Sequence, residues 1–106
     1  MADSHAVAGM LAALASRVNN LAVDATGDDS RTLTAQQIQL TNLSNQAIAL
    51  DLDNNTAIYA EAVTALNQAT SAADAATTDI NNVQTAITDV GTAISVVTKL
   101  LVTLDA

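Results

Sequence analysis

The sequence predicts an all-α fold: an elongated helical hairpin or bundle of about three helices, approximately 4–24, 34–52 and 56–104, with coiled-coil-like seams and an oligomeric state. Three observations carry this expectation. From Tyr59 to Leu104 an apolar or small residue recurs in an unbroken three-four rhythm for about six heptads, the pattern of helices packed knobs into holes. The positions are Tyr59, Ala62, Leu66, Ala69, Ala73, Ala76, Ile80, Val83, Ile87, Val90, Ile94, Val97, Leu101 and Leu104. The hydrophobic half of the chain is made almost wholly of Ala, Val, Leu and Ile, with no proline, no cysteine and Tyr59 as the single aromatic, which suits close helix contacts more than a thick globular core. Finally, 106 residues make one domain at most, 1–106, and a thin hairpin of that length buries too little apolar surface to offset about 1 to 2 kcal/mol of backbone ordering per residue.

The first helix, residues 4–24, has its stripe at Val7, Leu11, Leu14, Val18 and Leu21, widened by Met10 and Ala22. Asp3 or Ser4 can cap its start, and Gly27 is the natural left-handed stop before the polar Asp28, Asp29 and Ser30. A capping box with a hydrophobic staple, Leu33-Thr34-Ala35-Gln36-Gln37-Ile38, sets the second start near residue 35. Apolar residues of helix two fall on two faces, one with Leu33, Leu40, Leu43, Ala47 and Leu50, the other with Ile38, Ile48 and Leu52. Two faces imply a central position or a contact with another subunit.

The run Asp51 to Thr56 reads as a tight connection, with a helix running straight through as the rival. The third helix, 56–104, would then be roughly 74 Å long, with helices one and two laid end to end against it. Ser71-Ala72-Ala73-Asp74 matches a capping box, but the heptad passes through it in phase. A further apolar line runs beside the seam at Ala65, Ala72, Ala86, Ala93 and Leu100, broken by Asp79. That width, with β-branched residues at both core positions, favours more than two helices around the axis. The expected oligomer interface is Ile80, Val83, Ile87, Val90, Ile94, Val97, Leu101 and Leu104. Gly91 marks a bend or allows a close backbone approach.

Eleven acidic residues against Arg17, Arg31 and Lys99 give a net charge of -8, which argues against nucleic acid as a partner, since phosphate binding needs clustered Lys and Arg. Chemistry finds few footholds. Asp51, Asp53 and Asn55 stand at the first, third and fifth places of a calcium-loop pattern, but the sixth is Thr56 and the twelfth Ala62, so the sharp turn and the bidentate ligand are missing. His5 is the one histidine and has no second ligand type beside it, and with no cysteine there is nothing from which to build a nucleophilic triad. Carboxylates such as Asp74 and Asp79 read as a water-facing population, and no glycine-rich phosphate loop exists. The chain is therefore expected not to be an enzyme and to use no cofactor and no metal.

Thr64, Ser71, Thr78, Thr85 and Thr92, ending at Lys99, recur every seventh position opposite the seam. A flat hydroxyl ladder could bind a regular surface such as ice, although Thr, Asn and Asp also simply fill a wet face. The composition, rich in Ala, Thr, Asn, Asp and Gln and poor in Lys and aromatics, is similar to that of flagellins and other exported helical filament subunits. The expected function is thus a self-assembling structural or scaffold subunit whose partner is itself or another helical protein. The alternative is a regulatory or delivery partner, or a membrane-active toxin component, that shields its C-terminal segment Val96, Val97, Leu100, Leu101, Val102 and Leu104. The start lacks the basic region of a cleaved signal, and Ala93 to Leu104 is too short to span a bilayer and contains Lys99. Location is left as cytoplasmic or exported without a cleaved signal.

Overall fold

In the computed structural model, residues 4–49 and 57–105 are described, with side chains at 7–47 and 57–102. They form four helices packed against one another: α1 (Ser4–Asp24), α2 (Gly27–Ala49), α3 (Ala57–Thr78) and α4 (Val83–Asp105), with a short 3-10 turn, Ile80–Asn82, leading into α4. The first helix has the expected bounds. The single helix expected over 56–104 is two helices, so the described residues form four α-helices rather than three, and the bundle measures 38 × 19 × 18 Å, close to the length of one helix of this size.

The start of α2 lies seven residues before the capping box. Gly27, at φ 60, takes the left-handed conformation that ends α1, and the Ala25 amide closes the last turn on the Leu21 carbonyl at 2.7 Å. Asp28 and Asp29 then stand in the first turn of α2, where carboxylates meet the positive end of the helix dipole. The Ser30 hydroxyl reaches back to the Ala22 carbonyl at 2.8 Å and ties the two helices at the turn. Thr34, expected as a cap, is about two turns inside α2, its hydroxyl donating to the Ser30 carbonyl, and Gln37 donates to Thr41. A Thr-x-x-Gln spacing is equally at home in the middle of a helix, and the Gly-Asp-Asp start upstream is the stronger signal.

Helix α3 runs through the Ser71 box without a break, as the heptad phase predicts, and stops at Thr78. Asp79 reverses the chain alone. It sits at φ -142, ψ 109, and its carboxylate accepts from the Asn81 amide at 3.0 Å, capping the 3-10 turn. Its own amide still completes α3 by donating to the Ala75 carbonyl at 2.9 Å.

The helices form two antiparallel hairpins, α1/α2 and α3/α4. Helix α1 also packs on α3, and α2 on α4, leaving α1 opposite α4 and α2 opposite α3 across the bundle. Contacts at Asp29–Gln84 and Gln36–Ile87, both near the starts of α2 and α4, show that these two helices run the same way, and hence so do α1 and α3. The segment 50–56 that joins the hairpins lies outside the described residues, and with it the expected turn at Asp51–Thr56.

The core takes one stripe from each helix: Val7, Leu11, Leu14, Val18 and Leu21 from α1, and Leu33, Leu40, Leu43 and Ala47 from α2. From α3 come Tyr59, Ala62, Leu66, Ala69, Ala73 and Ala76, and from α4 Val83, Ala86, Val90, Ala93, Val97, Leu100 and Leu101. The other expected face of α2 is not buried at Ile38, which is exposed; the side chains of Ile48 and Leu52 lie outside the described set.

Two polar side chains enter the α2 packing. The Ser44 hydroxyl donates to the Ala8 carbonyl at 2.9 Å, and the Gln36 amide donates to the Ile87 carbonyl at 3.0 Å while its own oxygen stays buried without a partner. Gly91 faces Gln36, and a Cβ there would meet the Gln36 nitrogen at 3.6 Å, an ordinary contact. Glycine is therefore not required by space. Replacing Gly91 with Ala is expected to stabilise the bundle by about 0.5 to 1 kcal/mol through helix propensity, read as a higher midpoint in thermal unfolding.

Candidate interaction surface

Among the described residues no group of three His, Cys, Asp or Glu side chains is placed to hold a metal ion. The calcium-like run at Asp51–Asn55 and the His5 side chain lie outside the described set. Asp74 and Asp79 are both exposed, as expected of water-facing carboxylates, and each makes a surface contact: Asp74 pairs with Arg17 at 2.9 Å and Asp79 caps the turn. The Arg17–Asp74 pair is well exposed and bridges α1 to α3, so it sets geometry more than it adds stability.

The hydroxyl ladder is folded in half by the turn. Ser71 and Thr85 line one stretch of an open groove between α3 and α4, and Thr64 and Thr92 line the next, with Gln68 shared between the two. The groove has an Ala floor at Ala65 and Ala72, Val96 toward one end, and Asp89 midway between Thr85 and Thr92. A continuous flat array of hydroxyls on a single helix is thus absent. The α1/α2 hairpin carries a matching groove along Ala12, Ala15, Ser16, Gln37 and Thr41.

The residues expected at an oligomer interface are dispersed over different environments. Val83, Val90, Val97 and Leu101 lie in the intrachain core; Ile87 and Ile94 are partly buried beside it; Ile80 is 43% exposed; and the side chain of Leu104 lies outside the described set. The reason is a rotation of α4. Each helix of a four-helix bundle meets two neighbours, so α4 turns its Ala86, Ala93 and Leu100 line into the core and moves the Ile80, Ile87 and Ile94 line to its flank. Small residues at Ala86 and Ala93 permit the close approach that this rotation needs.

Helix α4 is also the most apolar element. Together with the 3-10 turn that leads into it, the stretch from Ile80 to Val102 is long and apolar enough to cross a membrane by length and composition, and a third of it is buried in the bundle. The shorter window Ala93–Leu104 hides this property because the stretch from Ile80 supplies the missing length. Val102, near its end, is exposed, as is Val23 at the end of α1. Asp89 and Lys99 are the charged residues in this window. Comparison of the chain with protein-family models, curated proteins and solved structures gave no match.

Proposed function

We propose that this protein is a non-enzymatic, self-assembling structural or scaffold subunit whose partner is a further copy of itself. The single observation carrying this reading is the apolar character of Ile80–Val102, a segment long and apolar enough to cross a membrane that is one-third buried in the bundle and leaves Ile80 and Val102 exposed near its two ends. Water-exposed helices of a bundle ordinarily turn a charged face outward; α4 turns outward mostly Thr and Ser, with Gln84, Lys99 and Val102, and Ile80 is exposed in the turn that precedes it. A net charge of -8 keeps such a surface soluble at low concentration and makes assembly sensitive to salt, because added salt screens the repulsion between copies. Light scattering across a concentration series, at low and high salt, tests this. Species larger than one chain are expected, favoured by concentration and by salt, and a monomer indifferent to both contradicts the reading.

A second reading has an observation of its own. The same window, Ile80–Val102, is the segment a membrane-active protein would release from its bundle into a bilayer. Leakage of dye from zwitterionic vesicles on addition of the purified chain favours it, and intact vesicles exclude it. Zwitterionic lipid is the relevant choice because an acidic chain is repelled by anionic headgroups.

A further inference from the structure

We infer that Asp79 is a hinge through which α4 leaves its own bundle and completes that of a second copy, so that the protein assembles first as a domain-swapped dimer. This inference rests on the self-assembly reading and names its mode. The two hairpin turns are built differently. Gly27 fixes the α1/α2 turn in a left-handed conformation that side-chain-bearing residues rarely adopt, whereas the α3/α4 turn contains neither glycine nor proline. Only Asp79 leaves the helical region there, and its conformation is one that any residue can exchange for the helical one. On one side its amide already bonds to Ala75; on the other, Asn82 and Val83 donate to the Asp79 and Ile80 carbonyls. Moving this residue into the helical region joins α3 and α4 into one helix over 57–105.

The sequence is prepared for that straight form. A hairpin requires an apolar stripe in each of its helices but no fixed phase between them. Here the three-four rhythm crosses the turn without a slip, from Ala73 and Ala76 through Ile80 to Val83 and Ile87. Ile80 is a seam position in the straight helix and is 43% exposed in the hairpin. In the exchanged dimer, Val83, Val90, Val97 and Leu101 of one chain pack into the partner's bundle in the places they fill at home, so the apolar burial of the closed monomer is regained between chains. Exchange of an identical element is a low-cost route to a dimer for this reason.

Two substitutions move the hinge in opposite directions. Asp79→Ala removes the cap on Asn81 and favours the helical conformation, and is expected to raise the dimer-to-monomer ratio about tenfold. Ile80→Pro places proline at the first residue of the 3-10 turn, where it fits, and holds the preceding Asp79 extended as it already is. In the straight helix the same proline would be interior and would break it. Ile80→Pro is therefore expected to give a stable monomer, with its thermal midpoint showing that it folds, and at least a tenfold lower dimer fraction.

Each chain would be refolded from denaturant at high concentration and sized by chromatography with light scattering. To see the exchange itself, a chain carrying Asp29→Cys would be refolded with one carrying Gln84→Cys and treated with a short bis-maleimide. Positions 29 and 84 are hydrogen-bonded neighbours between α2 and α4, and the native chain has no cysteine. Cross-links between unlike chains, confined to the dimer, are expected. Dimers that form equally well with Ile80→Pro, or that lack these cross-links, overturn the exchange and leave assembly through an outer surface. A monomer in all cases, Asp79→Ala included, overturns both the exchange and the self-assembly reading.

Discussion

Replacing Val90 with Asp is expected to unfold the chain rather than merely disperse it. Val90 is fully buried in the centre of α4, and the nearest ionisable partners described for the bundle lie at its surface, so a carboxylate there would be desolvated and unpaired. The cost is about 4 kcal/mol or more, a large part of the roughly 5 to 15 kcal/mol that stabilises a domain of this kind. Far-UV circular dichroism should show most of the helical signal lost near room temperature. The informative contrast is with a seam between chains, where the same substitution would reduce particle size and leave a cooperative helical melt intact.

Replacing Leu66 with Ala is expected to cost about 2 to 5 kcal/mol and to lower the melting midpoint by about 10 to 30 °C. Leu66 is the largest fully buried side chain of α3, a helix whose other core positions are mostly alanine: Ala62, Ala65, Ala69, Ala73 and Ala76. Alanine faces bring backbones close but bury little surface each, so the hold of α3 on the bundle is concentrated in Leu66 and Tyr59. Val23→Ala serves as the comparison. That side chain is 77% exposed, and its truncation should move the midpoint by no more than the equivalent of about 0.5 kcal/mol.

Much of this fold is legible in the sequence, and the parts that are not share a cause. Helix α1 can be read to the residue because its stripe, from Val7 to Leu21, is single and Gly27 follows it. The α3/α4 turn cannot, because the heptad rhythm passes through it in phase and Asp79 marks it only as a gap in the neighbouring Ala line. Pattern records which side chains are apolar, and the same pattern serves a straight seam or a hairpin whose two stripes face one another. The start of α2 was obscured by a capping-box spacing at Thr34 that belongs to the helix interior. Gln36 and Ser44 carried no local sign at all, since their partners, Ile87 and Ala8, are 51 and 36 residues away.

The candidate surface follows the same division. The apolar character of α4 is plain in the sequence, but which of its lines is left outside is decided by rotation within the bundle. Ala86 and Ala93 face the core because two neighbouring helices must approach α4 closely, and Ile80 is displaced to the edge by the turn itself. Both effects depend on four helices being present, which the three-helix expectation does not contain.

The central claim is that the seam from Tyr59 to Leu104 folds back on itself within one chain. The direct measurement is the distance between spin labels attached through Thr64→Cys and Thr92→Cys, in the monomer fraction and diluted with unlabelled protein so that only pairs within a chain are read. These positions line the same groove between α3 and α4, whose axes pack about 8 to 10 Å apart. A single short distance, under about 20 Å with the label arms included, is the expected result. A distance near 42 Å, the separation of the same positions along one continuous helix at about 1.5 Å per residue, would contradict it.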